Sequence, residues 1–248
     1  MKKTIWITGG STGIGKALAI KFANEGWNVA VSARRESLLK ELSDKYQNIT
    51  SFPLDVTEKE NCQNVFSQIK EKYNEIDFCF FSTGTWDPKK EKDIDLEQIE
   101  NVFKINFFGT LNSIKAVEKY YKDKKEGTIA IVSSIAGYRG LPNSTGYGPS
   151  KSALNNLTES LYFDFGRYNV RICLVSPGFI KTPLTDKNTF EMPFIKSPEF
   201  AAEKMFKGLT KSSAFEIDFP KELTTLLKIF RILPYRIYLF LIDKFVKR

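Results

Sequence analysis

Short apolar segments alternate with longer amphipathic segments along most of the chain. Seven segments rich in β-branched or aromatic residues predict strands over Thr4–Thr8, Asn28–Ala33, Ile49–Pro53, Asp77–Ser82, Thr128–Ser133, Val170–Ser176 and Ala214–Phe219. Apolar residues at helical spacing predict helices over Ile14–Glu25, Glu36–Tyr46, Glu58–Tyr73, Leu96–Tyr120, Gly148–Tyr168 and Pro198–Lys211. This alternation predicts an α/β fold, in which about seven strands form a doubly wound parallel sheet with helices on both faces.

The composition excludes several kinds of catalytic site. The 248 residues include no histidine, which rules out a Ser-His-Asp triad, a His-assisted cysteine nucleophile and a His-ligated zinc site. Any proton transfer must therefore use Tyr, Lys, Asp, Glu or Cys. The three cysteines, Cys62, Cys79 and Cys173, are far apart in the sequence, so we expect buried free thiols and no metal site.

A glycine-rich turn joins the first predicted strand to the first predicted helix. Glycines permit a tight turn and a close approach of backbone N–H groups to a pyrophosphate, which the helix N-terminus then faces. The spacing Gly-x-x-x-Gly-x-Gly differs from the commonest dinucleotide fingerprint, and a plain tight turn is the alternative. The position between strand and helix favours nucleotide binding by Gly9, Ser11, Thr12, Gly13, Ile14 and Gly15.

Two arginines, Arg34 and Arg35, follow the second predicted strand. An acidic residue at this point would bind the ribose hydroxyls of NAD, whereas a guanidinium group suits a 2′-phosphate. We therefore expect NADP(H) to be favoured over NAD(H), with solvated loop charges as the alternative interpretation. Asp55 and Val56 follow the third strand, where a carboxylate can reach the adenine amino group.

A tyrosine and a lysine stand four residues apart at the start of a long predicted helix. Tyr147 and Lys151 therefore share one helix face. A free tyrosine has a pKa of about 10, and a nearby cation lowers that pKa by favouring the phenolate. In a chain without histidine this pair predicts an acid/base catalyst, although Tyr-x-x-x-Lys alone is common by chance.

Together, these features resemble the short-chain dehydrogenase/reductase family over residues 4–218. The resemblance also rests on Asn106, on Ser134 and on the segment Pro177–Thr182. The family's catalytic serine lies in a Ser-x-x-Gly stretch 13 residues before the tyrosine, which fits Ser134, while Ser133 is the weaker candidate. The resemblance implies a Rossmann-type fold and a homodimer or homotetramer.

The implied activity is transfer of a hydride between the nicotinamide of NADP(H) and a carbonyl or alcohol. By resemblance, Ser134 holds the substrate oxygen and Tyr147 exchanges its proton. Lys151 binds the nicotinamide ribose, and Asn106 binds a water that links Lys151 to solvent. The resemblance further implies cofactor contacts at Gly84, Tyr147, Lys151, Pro177, Gly178, Ile180 and Thr182.

Two departures from the family pattern affect the cofactor region. The sequence Phe81-Ser82-Thr83-Gly84 stands where the family usually has Asn-Asn-Ala-Gly. Thr12 stands where many NADP-preferring relatives carry a basic residue, so we expect the phosphate to rest mainly on Arg34 and Ser11.

The segment 183–198 corresponds to the family's lid over the substrate. Its apolar residues indicate a lipophilic carbonyl or alcohol substrate, with ordinary loop packing as the alternative. Two further hypotheses use the same fold: a catalytically silent NADP(H)-binding regulator and an NAD-dependent alcohol dehydrogenase. No nucleic-acid partner is expected, because residues 1–220 hold no cluster of basic residues interleaved with aromatics.

Residues 221–248 form a basic amphipathic extension beyond the predicted domain of residues 1–220. The extension carries seven cations against two anions, so it holds +5 of the net charge of +8. Its apolar residues predict two short helices separated by Pro234. Such a segment can lie on an anionic membrane; the alternative is packing on the substrate pocket or on a neighbouring subunit.

The N-terminus carries no recognisable secretory signal. Lys2 and Lys3 precede only a short apolar run, which glycines then interrupt. We therefore expect a cytoplasmic protein, either free or peripheral on the inner face of a membrane.

Overall fold

Seven strands of the computed structural model form one parallel sheet. The structure describes residues 2–87, 94–188 and 190–245. The strands are β1 (Thr4–Thr8), β2 (Asn28–Ser32), β3 (Ile49–Ser51), β4 (Phe78–Phe81), β5 (Thr128–Val132), β6 (Arg171–Pro177) and β7 (Glu216–Phe219). Their order is β3-β2-β1-β4-β5-β6-β7, and every neighbouring pair is parallel. The strand order therefore reverses between β1 and β4, where doubly wound folds bind their ligands.

Helices cover both faces of the sheet, because side chains alternate between the faces along each strand. The helices of the body are α1 (Gly13–Asn24), α2 (Glu36–Lys45), α3 (Lys59–Tyr73), α4 (Leu96–Phe103), α5 (Gly109–Lys124), α6 (Tyr147–Gly166) and α7 (Pro198–Lys211). Ile5 and Ile7 of β1 pack with α1, α2 and α7, whereas Trp6 packs with α3, α5 and α6. The predicted Rossmann-type sheet with helices on both faces is confirmed.

One predicted helix is divided. The helix predicted over Leu96–Tyr120 consists of α4, a π-helical turn over Lys104–Phe108, and α5, which continues to Lys124. A π turn has i→i+5 hydrogen bonds instead of the α-helical pattern, and such turns are frequent at functional sites. Here the turn carries Asn106, whose side chain is fully buried.

The C-terminal extension forms two helices, as predicted. Helix α8 covers Lys221–Ile232 and α9 covers Tyr235–Phe245, with Pro234 between them. Residues 246–248 of the predicted extension lie outside the described residues. Within the part of the chain that the structure describes, every helix is too short or too polar to span a bilayer. The domain boundary at residue 220 stays a prediction.

The three cysteines are free and buried, as predicted. Burial raises the pKa of Cys62 and of Cys173 to about 11, and that of Cys79 to about 12. The thiols therefore stay protonated near neutral pH and contribute to the core as small apolar groups.

Candidate active site

A cleft of about 410 Å³ opens at the carboxyl ends of β1, β4, β5 and β6. This volume lies within the usual range of small-molecule sites. The structure brings to its wall every residue that the sequence assigns to the cofactor: Gly9, Ser11, Thr12, Gly13, Ile14, Gly15, Arg34, Arg35, Asp55, Val56, Gly84, Tyr147, Lys151, Pro177, Gly178, Ile180 and Thr182. Ser134 also lines the cleft.

The glycine turn between β1 and α1 brings backbone close to two other loops. Gly9 and Gly13 have φ angles of 69° and 57°, which side chains disfavour. A Cβ atom on Gly9 would lie 2.8 Å from the backbone oxygen of Ser82, and one on Gly13 would lie 3.2 Å from the methyl carbon of Thr182. The two glycines therefore let the turn pack closely against the loops after β4 and β6. The backbone N–H groups of this turn, at the start of α1, suit a pyrophosphate.

Arg35 lies against this turn. Its guanidinium donates hydrogen bonds to Thr12 Oγ1 (3.0 Å) and Ser11 Oγ (3.3 Å). The sequence predicts that the phosphate rests mainly on Arg34 and Ser11. In the structure, Arg35 is the arginine that donates a hydrogen bond to Ser11. Both arginines are exposed at the rim of the cleft, where a 2′-phosphate can reach them. Asp55 also lines the cleft, and its Oδ1 accepts hydrogen bonds from the backbone N–H and the hydroxyl of Thr57.

Tyr147 and Lys151 occupy the first turns of α6 and both line the cleft. Tyr147 is half-buried, whereas Lys151 is almost fully buried. The Lys151 ammonium donates a hydrogen bond to the backbone oxygen of Val132 (3.0 Å) and lies 5.6 Å from the centre of the Tyr147 ring. Burial lowers the pKa of Lys151 to about 8. The cleft thus holds a tyrosine beside a lysine that can change its charge near neutral pH.

The two adjacent serines have different environments. Ser133 is buried, and its hydroxyl donates a hydrogen bond to the backbone oxygen of Lys151 (2.9 Å). Ser134 is half-buried, and its Oγ accepts a hydrogen bond from the backbone N–H of Ala136 (3.2 Å). This bond orients the Ser134 hydroxyl, while Ser133 connects β5 to α6.

Asn106 lies behind the cleft wall. Its Oδ1 accepts from the backbone N–H of Thr85 (2.7 Å), and its Nδ2 donates to Thr85 O and to Ser150 Oγ (both 3.1 Å). A Cβ atom on Gly84 would lie 3.6 Å from both Asn106 Oδ1 and Lys151 Nζ. The amide therefore fixes the loop after β4 beside Lys151, and the water-binding role of Asn106 stays a prediction.

Ser82 explains how the loop after β4 is held without the family's usual asparagines. The Ser82 hydroxyl donates a hydrogen bond to the backbone oxygen of Thr8 (2.6 Å). This bond joins the ends of β4 and β1 directly under the glycine turn. The local geometry is thus stabilised by a serine.

Sequence reasoning missed Trp86. Its ring stacks on that of Tyr147, with centroids 5.3 Å apart and an interplanar angle of 29°. The backbone oxygen of Trp86 accepts a hydrogen bond from Lys187 Nζ (3.2 Å), which ties the lid to this loop. Thr189 of the predicted lid lies outside the described residues. An aromatic residue two positions after Gly84 was the available signal, because the loop after a central strand borders the ligand site.

Comparison with known proteins identifies the family. The family model described as short chain dehydrogenase matches residues 3–192. The chain belongs to this family. An uncharacterized oxidoreductase of Myxococcus xanthus (strain DK1622) is 31% identical over 94% of this chain and 93% of its own length. A 3-ketodihydrosphingosine reductase of Bos taurus is 30% identical over 84% of this chain and 68% of its own length. A short-chain oxidoreductase is therefore the general class of this protein.

Solved structures of the family contain either dinucleotide. ElxO with NADP bound is 26% identical, with a TM-score of 0.76 over 88% of this chain and 98% of that chain. A short chain dehydrogenase/reductase from Burkholderia phymatum in complex with NAD is 19% identical, with a TM-score of 0.79 over 92% of each chain. The fold alone thus does not decide between NADP and NAD.

Proposed function

We propose that the protein is an NADP(H)-dependent oxidoreductase that acts on a lipophilic carbonyl or alcohol, with Tyr147 as the acid/base. The observation that carries this proposal is the placement of Tyr147 and Lys151 in the same cleft as the glycine turn. A protein that only binds the dinucleotide has no need of a tyrosine and a buried lysine at the inner end of its cleft. When bound, the nicotinamide supplies or accepts the hydride.

The residues of the chain orient the substrate and move the proton. The Ser134 hydroxyl donates a hydrogen bond to the substrate oxygen, and Tyr147 donates its proton to that oxygen as it becomes an alkoxide. The Lys151 ammonium favours the phenolate form of Tyr147 through its charge and binds the nicotinamide ribose. Ile180 and Thr182, which line the same cleft, bind the nicotinamide amide group.

The two arginines at the rim support the preference for NADP(H). We expect Arg34→Ala/Arg35→Ala to raise the Kd for NADPH about 10–100-fold, because two charged hydrogen-bond donors to the 2′-phosphate are lost. The Kd for NADH should change by about twofold or less, since NADH lacks that phosphate. Fluorescence titration with both dinucleotides measures these constants.

A matched charge change on α2 controls for the general loss of positive charge. Lys40→Ala/Lys45→Ala also removes two positive charges, and neither lysine lines the cleft. Equal losses for NADPH and NADH in the arginine variant would contradict the NADP(H) assignment.

Apolar residues beside the cleft support a lipophilic substrate. Trp86 stacks on Tyr147 and is 9% exposed. In the lid, Phe190 lies with its ring centre 5.9 Å from that of Phe179. The name of the Bos taurus relative, 3-ketodihydrosphingosine reductase, refers to a long-chain ketone.

Oxidation of NADPH should be measured against a series of ketones of increasing chain length. A rise in kcat/KM with chain length supports this substrate class, and a preference for short hydrophilic ketones contradicts it.

Trp86 is expected to contribute to the binding of that substrate. We expect Trp86→Ala to raise the KM for a long-chain ketone about tenfold, because an aromatic contact beside Tyr147 is lost. Trp86→Phe keeps a stacking ring and should restore most of the affinity. The Kd for NADPH should stay constant in both variants, and an unchanged KM in Trp86→Ala would remove Trp86 from the substrate site.

A further inference from the structure

The inner face of α8 is fixed to the body of the protein. Leu223 packs with Ile135 and Tyr138, in the segment that follows β5. The Thr224 hydroxyl donates a hydrogen bond to Asp218 Oδ2 (2.5 Å). Helix α8 therefore keeps one defined face toward the sheet and the other toward solvent.

Arg139 fixes the junction between α8 and α9. Its guanidinium donates hydrogen bonds to the backbone oxygens of Leu233 (2.7 Å) and Phe230 (2.9 Å). It also lies 4.0 Å from the ring centre of Tyr238, whose hydroxyl donates to Gly140 O (2.6 Å). Both helices are thus held on the body, and their outer faces are presented in a fixed orientation.

The outer faces of α8 and α9 expose large apolar side chains. Ile232 is 81% exposed and Phe240 is 63% exposed. On α8, three of these residues recur at every third position and form one stripe. Several exposed apolar residues on two adjoining helices indicate an interaction surface, whereas isolated ones are ordinary. The group consists of Leu226, Ile229, Ile232, Ile237, Leu239 and Phe240.

The charges around this group have one predominant sign. The cations of α8 form ion pairs with the body, such as Lys228 with Glu216 (2.8 Å). From Tyr235 onward the sequence holds four cations against one anion, and two of these cations, Lys247 and Arg248, lie outside the described residues. Arg236 and Lys244 of α9 are both exposed and stand four residues before and four residues after Phe240 on the same helix, with Lys244 Nζ 5.7 Å from the centre of the Phe240 ring. Apolar side chains flanked by cations match the interface of an anionic bilayer, where the cations reach the phosphates.

The lid lies beside α8 and extends this surface toward the cleft. Lys196 Nζ lies 3.7 Å from Glu222 Oε1. Phe194 and Ile195 of the lid are 50% and 40% exposed. A Cβ atom on Gly178, which lines the cleft, would lie 3.1 Å from Leu223 of α8. The lid, α8 and the cleft wall therefore meet.

We propose that the outer residues of α8, α9 and the lid form one face, the tail–lid face, that docks on a bilayer containing anionic phospholipid. A second copy of the chain fits this face less well, because an isologous contact brings together two copies of the same surface, both with an excess of cations. Docking places the lid against the bilayer, so that a lipophilic substrate enters the cleft from the membrane. Only this last consequence rests on the proposed function.

Flotation of the full-length protein with vesicles tests the docking. The protein should float with phosphatidylcholine vesicles that contain phosphatidylglycerol, and less with phosphatidylcholine alone or at high salt. Ile232→Ser/Phe240→Ser should lower the bound fraction about tenfold by removing apolar contacts. Arg236→Glu/Lys244→Glu should lower it about tenfold or more by reversing two charges.

Matched variants on other helices control for apolarity and charge. Leu96→Ser/Phe108→Ser removes two exposed apolar residues near α4, and Lys40→Glu/Lys45→Glu reverses two charges on α2; both should float like the wild type. Absence of flotation by the wild type, or equal losses in the test and control variants, overturns the proposal. Light scattering that shows a dimer dissociating in Ile232→Ser/Phe240→Ser, without flotation of the wild type, assigns the face to a second copy and also overturns it. Flotation needs neither NADPH nor a ketone, so its failure leaves the proposed reaction untouched.

Discussion

Replacing Tyr147 by phenylalanine is expected to reduce kcat about 10²–10⁴-fold, the usual contribution of a positioned general acid or base. The variant keeps the ring that stacks on Trp86 at 5.3 Å, so it loses the hydroxyl and little else. No histidine is present in the chain to take over the proton transfer. The Kd for NADPH should remain close to that of the wild type. Steady-state oxidation of NADPH and a fluorescence titration measure the two quantities.

Tyr162 provides the matched control for this experiment. It lies on the same helix, α6, but it is 50% exposed and does not line the cleft. Tyr162→Phe should therefore retain the wild-type kcat. If Tyr147→Phe also turned over at the wild-type rate, Tyr147 would not be the acid/base, and a role in binding alone would be the better hypothesis.

The sequence predicts the sheet well because strand periodicity and the glycine turn are local signals. The alternation of Ile5, Trp6 and Ile7 between the two cores follows directly from the pleat of β1. Likewise, the spacing of Tyr147 and Lys151 places both on one helix face, and the structure places both in the cleft. Local spacing was sufficient for these residues, because the direction of each side chain depends only on the strand or helix that carries it.

Contacts between distant segments could not be predicted in this way. Helical periodicity does not predict the π turn at Asn106. The buried amide of Asn106 finds its hydrogen-bond partners, Thr85 and Ser150, on other elements of the fold. The stacking of Trp86 on Tyr147 joins residues 61 positions apart. The extension offered two interpretations, and the structure shows it packed on the segment after β5, with its outer apolar residues still exposed. The sequence shows that the extension is amphipathic, but it does not show which face of each helix packs against the body of the protein.

Lys151 gives the second large effect, and its measurement is a pH dependence. Burial lowers its pKa to about 8 in the folded protein, whereas a lysine in an unfolded chain has a pKa of about 10.4. Between these values the unfolded chain holds the proton and the folded protein does not. Unfolding therefore takes up a proton, and a rise in pH stabilises the folded wild type. Near pH 7 the folded protein instead carries a buried charge, which is costly.

We expect Lys151→Met to lower kcat about 10²-fold or more, because the cation beside Tyr147 is lost, and to change the pH dependence of stability. The wild type should gain about 2–3 kcal/mol of unfolding free energy relative to the variant between pH 7 and pH 10. The variant lacks both the hydrogen bond to Val132 and a titrating group at this position at every pH, so the change between the two pH values reports the titration of Lys151 in the wild type. Urea unfolding of both proteins at pH 7 and at pH 10 measures this difference in unfolding free energy. Lys119→Met, at an 88% exposed side chain on α5, should show almost no such change. A stability difference that is constant from pH 7 to pH 10 would mean that Lys151 keeps its proton throughout, and the lysine would then act as a fixed cation beside Tyr147.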